Sequence, residues 1–146
     1  MIVADGRNEP VAAEIEIAIA GEDGIVAARQ TARETARRLG FGMVDQSRIA
    51  TAVSELARNV VRYATTGRGQ AIVREIGDAT RGVGLEVIVR DDGPGIPNID
   101  RALRDGFTTG TGLGMGLPGA RRLMDDFAID SAPGQGTTVT IRKWRR

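Results

Sequence analysis

Three short stretches carry residue types that suit chemistry. The first is Ser54-Glu-Leu-Ala-Arg-Asn59. Glu55 and Asn59 are four apart, so on a helix they share one face. A carboxylate beside an amide oxygen suits a hard cation such as Mg²⁺. That ion keeps waters and takes other ligands from phosphates, leaving the carboxylate to accept a proton. A solvated helix face fits the same spacing. The second stretch is Asp91-Asp-Gly-Pro-Gly95, which follows a strongly apolar run. It reads as a tight turn with a carboxylate at a strand end. Asp91 can accept a hydrogen bond from an exocyclic amine, and Gly93 and Gly95 let backbone approach a flat ring. A plain Gly-Pro turn needs no ligand and fits equally. The third is residues 105–119, with Gly106, Gly110, Gly112, Gly114 and Gly116 closely spaced before Leu117-Pro118. Glycine is costly to order, and proline favours a helix's first turn. Such a run either closes over an anion at a helix N-terminus or is an ordinary surface loop. Gly134-Gln-Gly-Thr137 is a turn that sets a hydroxyl at the start of a strand.

The elements that must position these groups follow from periodicity. Residues 13–20 alternate through Ile15, Ile17 and Ile19, which predicts a half-buried strand, and Gly21 to Gly24 a turn. Residues 25–39 predict a helix with Ile25, Ala28, Ala32, Ala36 and Leu39 inward, stopped by Gly40. A second helix, capped by Asp45 or Ser47, runs to about Ala64 on Ile49, Val53, Leu56 and Val60. Strands are expected at 70–76 and 85–89, joined by a loop over 77–84, and again at 127–130 and 137–143. Short helices are expected at 99–104 and 117–125. Together these make an α+β domain. It is a two-layer α/β sandwich with one mixed, mostly antiparallel sheet and helices on one face.

Composition narrows the function. The 146 residues suit one domain over 1–146, and the net charge of +1 gives no field that draws the chain to nucleic acid or membrane. There is no cysteine and no histidine, so disulfides, thiolate metal sites and a phospho-accepting histidine are all excluded. The cysteine-free composition fits the cytoplasm. No apolar run reaches membrane length, and no signal-peptide pattern opens the chain.

The order of the motifs is informative: Glu-x-x-x-Asn on a helix, Asp-x-Gly-x-Gly after a strand, a Gly-rich segment before a helix, Gly-x-Thr before a strand. It resembles the GHKL (Bergerat) ATP-binding fold shared by histidine-kinase catalytic domains, Hsp90, gyrase B and MutL. Residues 54–64 and 105–125 are more narrowly similar to switch-protein serine/threonine kinases of the RsbT type, found in bacterial partner-switching pathways beside the anti-sigma-factor kinases.

The resemblance implies ATP and Mg²⁺ as cofactors. It places Glu55 as general base, Asn59 as Mg²⁺ ligand, Arg62 near the phosphates and Asp91 as the adenine-recognising acid, with Gly93 and Gly95 as turn glycines. Thr109, Gly110, Gly112, Leu113, Gly114 and Gly116 fall in the lid, Leu117 binds nucleotide where the next helix starts, and Thr137 lies near the base. The implied substrate is a STAS-domain antagonist or stressosome scaffold, and release from it frees the kinase to activate a phosphatase. Neither the helices and histidine of a histidine kinase nor a gyrase-type transducer is evident, so a stand-alone kinase is expected. Two alternatives stay open: an anti-sigma factor with kinase activity that sequesters a sigma factor, and a nucleotide-gated binding module without turnover.

Overall fold

Alternating apolar residues in five segments require a sheet with one buried face, and the computed structural model contains it. The structure describes residues 14–64, 67–96, 98–104 and 116–146. In chain order the elements are β1 (Glu14–Ile19), α1 (Glu22–Arg38), α2 (Met43–Tyr63), β2 (Gly69–Asp78), β3 (Gly82–Asp91), α3 (Ile99–Ala102), α4 (Gly116–Leu123), β4 (Asp126–Ser131) and β5 (Thr137–Trp144). The strand order is β1-β2-β3-β5-β4. The α+β sandwich is as expected. The sheet is not mixed among the described residues, since all four pairings are antiparallel.

The inner face of the sheet presents Ile19, Val73, Leu85, Val87, Val89, Val139 and Ile141, all buried. Against it pack Ile25, Ala28, Ala32 and Ala36 of α1, and Ile49, Val53, Leu56 and Val60 of α2, the stripes that the period predicts. The alanines of α1 let the helix lie close to its neighbours. Leu39 packs only at the margin of this core and is the residue just beyond α1.

Several boundaries differ from the sequence reading. Residues 21–24 are no free turn, because α1 starts at Glu22. Gly24 lies where the helix crosses β1, and a Cβ there would sit 2.7 Å from the Ala18 carbonyl oxygen. That crossing covers Ile19 and leaves Ile15 39% exposed, so β1 is buried at one end only. Helix α2 starts at Met43, with no side-chain cap, so neither Asp45 nor Ser47 caps it. Buried Phe41 anchors the entry instead, and the Gln46 side chain donates to its carbonyl at 2.8 Å. Asp45 pairs with Arg48 at 3.0 Å. The β2–β3 connection shortens to 79–81, because Asp78 Oδ1 accepts from the N–H groups of Thr80 and Arg81. The short helix at 99–104 ends earlier, at Ala102, and that at 117–125 spans Gly116–Leu123.

The outer face is built differently. Glu14, Arg74, Glu86, Arg142 and Asp126 form one register row of alternating charge across all five strands. Glu86 is only 1% exposed and bonds both Arg74 and Arg142. Removing one partner of a buried charge pair is more costly than the pair is worth. Here both arginines keep contact with water, which moderates the loss. Glu86→Ala should therefore lower stability by about 2 kcal/mol. Arg74→Gln should cost less, since Glu86 keeps Arg142. Urea unfolding midpoints check both, and equal small losses would show that the row contributes little.

Candidate nucleotide site

The C-terminal half of α2 carries Glu55, Asn59 and Tyr63 at successive i,i+4 positions, so one stripe holds all three. Glu55 and Asn59 are half-buried, and Tyr63 is exposed. Glu55 Oε1 accepts from Arg58 Nη1 at 3.3 Å. Arg62 is exposed on the last turn.

Beyond Tyr63 lies a cavity of about 420 Å³. Tyr63, Asp91, Pro94, Gly95, Ile96, Asn98, Arg101, Ala102, Leu117 and Thr137 line it. Its walls are mostly apolar, with a few polar groups converging, as small-molecule sites are built. Asp91 ends β3 and Thr137 begins β5, and the two are register partners. Burial pushes the Asp91 carboxyl above its ordinary range, and the charge of Asp92 adds to this. Backbone N–H groups of Gly93 and Thr137 act in the opposite sense. The Gly93 bond is 2.8 Å, to Asp91 Oδ1.

Two loops meet beside this pair. Gly134 N–H donates to the Pro94 carbonyl at 2.7 Å. Gly95 has φ +79°, and a Cβ there would lie 2.0 Å from the Ala132 carbonyl oxygen. Gly136 has φ +76°, and its Cβ would lie 2.3 Å from the Asp91 carbonyl oxygen. Both positions need a left-handed backbone and have no room for a side chain, so glycine is required twice over. The hydroxyl of Ser131, at the end of β4, completes the junction. It accepts from Ile96 N–H at 2.8 Å, donates to the Gly136 carbonyl at 3.0 Å and lies 2.8 Å from Thr137 Oγ1.

Among the residues predicted from sequence, the cavity gathers Asp91, Gly95, Leu117 and Thr137. Gly93 packs instead against Ala64, where a Cβ would come within 2.7 Å of its Cα, and serves Asp91 through its N–H. Glu55 and Asn59 stand two turns and one turn before Tyr63, outside the lining set. Gly116 opens α4. Thr109, Gly110, Gly112, Leu113 and Gly114, with the rest of 105–115, lie outside the described residues. Sequence reasoning missed Tyr63, Asn98, Arg101 and Ser131. Tyr63 had a signal, four residues beyond Asn59. Asn98 had one as well, since its side chain caps α3 by accepting from Arg101 N–H at 2.9 Å.

Residues 44–146 match the histidine kinase-, DNA gyrase B- and HSP90-like ATPases, and the chain belongs to that family. The serine/threonine-protein kinase RsbT of Bacillus subtilis is 52% identical over 122 residues, covering 84% of this chain and 90% of that protein. An anti-sigma F factor of Bacillus licheniformis is 35% identical over 124 residues, covering 80% of this chain and 81% of that one. Among solved structures, the RsbU and RsbW domains of a Mycobacterium tuberculosis protein superpose with TM-score 0.62 at 22% identity. That match takes in 95% of this chain but only 34% of the larger one. The mycobacterial sensor histidine kinase MprB superposes with TM-score 0.54 at 20% identity, over 93% of this chain and 99% of that one. These two likenesses speak for the fold alone. Within the family the chain is a serine/threonine-protein kinase of the partner-switching kind, and it uses ATP. Among the described residues, no helix is long and apolar enough to cross a membrane.

Proposed function

We propose that the chain is an ATP- and Mg²⁺-dependent kinase that phosphorylates a serine or threonine of a STAS-domain antagonist or scaffold. Release from that protein then frees it to switch on a phosphatase. The observation that carries this is the α2 stripe. Glu55 and Asn59 lead, through Tyr63, to a cavity whose polar end is Asp91 and Thr137. Asp91 accepts from the adenine amine. The first turn of α4, beginning at Gly116 and Leu117, offers N–H groups toward the phosphates, and Arg62 adds charge nearby. The residues present fit Mg²⁺. Asn59 supplies a hard oxygen next to a carboxylate, and phosphates and water supply the rest. When bound, the ion neutralises phosphate charge. Glu55 takes the proton of the acceptor hydroxyl, and Gly93 and Gly95 hold the turn that sets Asp91. Thr109, Gly110, Gly112, Leu113 and Gly114 belong to the same site as its lid. Transfer then relies on positioning and electrostatics. The setting is the cytoplasm, in a stressosome-type pathway.

The 35% identity to an anti-sigma F factor favours a second reading, in which the chain also sequesters a sigma subunit. Labelled ATP and the STAS-domain proteins of the source cell test the first. Label should pass to serine or threonine with Mg²⁺ present and fail to pass with EDTA. Capture of a sigma factor without transfer to any STAS protein would favour the second.

A further inference from the structure

Helix α2 carries a second concavity, toward its other end. A groove of about 370 Å³ is lined by Met43, Val44, Ser47, Arg48 and Thr51 of α2 and by Leu123, the last residue of α4. Met43 is 75% exposed and Val44 64%, and neither joins the core that the rest of the helix buries. Adjacent apolar side chains left in water beside a groove suit a protein contact. Charge marks the same end. Arg48 lies 3.0 Å from Asp45, and Arg146 3.0 Å from Asp125. Lys143 stands between the two acids, 3.8 Å from Asp45 and 3.5 Å from Asp125. It also donates to the Leu123 carbonyl at 3.0 Å, which ties the network to the groove. Two carboxylates shared among three cations leave a net positive charge. Arg48 and Arg146 carry it outward, since they are the most exposed of the five.

The groove and the nucleotide cavity flank Glu55 along one helix. Thr51, in the groove, is one turn before Glu55, and Tyr63, in the cavity, is two turns after it. We infer, on the reading of Glu55 as base for a protein hydroxyl, that this groove is a docking site for the acceptor protein. It takes an acidic segment of that protein, with one apolar side chain set against Met43, Val44 and Leu123. Nucleotide fills the space beyond Tyr63, so the acceptor chain must reach Glu55 from another side, and the groove is the next concavity along the helix. From Arg48 to Glu55 the helix rises about 10 Å, which about three residues of extended chain span. A side chain seated beside Arg48 therefore leaves a hydroxyl on the same segment within reach of Glu55. The positive rim complements acidic residues on that segment and steers its approach.

The test measures label transfer from ATP to the STAS-domain protein of the source cell that takes label from the wild type. Val44→Asp removes an apolar contact and sets a charge against acidic residues. It should raise KM for that protein about tenfold, with kcat at saturation and ATP affinity unchanged. An acid in the first turn of a helix is favoured by the helix dipole, so the variant should fold. Val44→Ile keeps the apolar contact and should keep KM. Arg48→Glu should also raise KM about tenfold and flatten its dependence on salt. An acceptor KM unmoved in both Val44→Asp and Arg48→Glu would overturn the inference while leaving the kinase reading intact. So would equal losses of ATP affinity and transfer, the mark of a structural role. A wild-type dimer that Val44→Asp breaks, seen by sedimentation with acceptor KM unmoved, would give the groove to a second copy and overturn it too. A wild type that labels no STAS-domain protein would instead overturn the proposed function, and the inference with it.

Discussion

Replacing Glu55 by Gln should leave ATP binding near normal and slow phosphoryl transfer by roughly two or more orders of magnitude. The two effects separate because of where Glu55 stands. It is two helical turns from Tyr63 and outside the cavity lining, so it has no direct part in holding the base. Gln keeps the size and an acceptor oxygen, so the 3.3 Å bond from Arg58 to Glu55 Oε1 can be kept by the amide. What Gln lacks is the second carboxylate oxygen, which is the one left to take a proton from an acceptor hydroxyl. The loss should thus fall on kcat, with ATP affinity little changed. Single-turnover transfer to the protein acceptor, set beside calorimetric ATP binding, reads the split. Unchanged transfer in Glu55→Gln would remove Glu55 from the base position and leave the fold untouched. Equal losses in binding and transfer would make Glu55 a phosphate-side or structural group instead.

The parts of this site that were legible in the sequence are those written within a single element. The α2 stripe shows because apolar Ile49, Val53, Leu56 and Val60 fix which way the helix faces, and Glu55 and Asn59 then fall on a second face. Asp91 shows because an apolar strand stops abruptly at acids and glycines. Ser131 does not show. A lone serine ending a six-residue strand has no local signal, and its role comes from the β4–β5 register that sets it opposite Thr137. Glu86 is hidden for a similar reason. Inside the run Leu85–Val89 it reads as an ordinary outward position, and only the cross-strand row reveals two arginines on its carboxylate. The start of α2 was misjudged because Asp45 and Ser47 have good capping chemistry. Burial of Phe41 and the Gln46 bond to its carbonyl settle the entry earlier, with Gly42 at the cap position instead. In each case a contact distant in sequence, or a buried anchor, overrides what the local residues prefer.

Asp91→Asn should weaken ATP by about 100-fold, the loss of a hydrogen bond to a charged acceptor, while changing stability by about 1 kcal/mol or less. The geometry makes the substitution more than a loss of charge. Asp91 accepts from the N–H groups of Gly93 and Thr137, so an Asn there turns its amide oxygen toward those donors. Its NH₂ then points at the ligand's own amine, donor against donor. ATP should suffer more than a nucleotide with an acceptor at the same place, so inosine triphosphate should lose less affinity or gain some. The pH dependence gives an independent check. Burial raises the carboxyl of folded Asp91 above its value in the unfolded chain. Ionised Asp91 therefore costs the folded state stability at neutral pH, and that cost disappears as pH falls through the folded value toward the unfolded one. Acidification through this window does not unfold the protein on account of Asp91, but it protonates the acceptor. ATP affinity in the wild type should begin to fall at a pH where ordinary aspartates are still ionised. In Asp91→Asn that early fall should be missing. Calorimetric titrations at several pH values, each paired with a thermal melt, separate the two effects. An acid limb that survives in Asp91→Asn would assign it to another group, and ATP binding unaffected by the substitution would take base recognition away from Asp91.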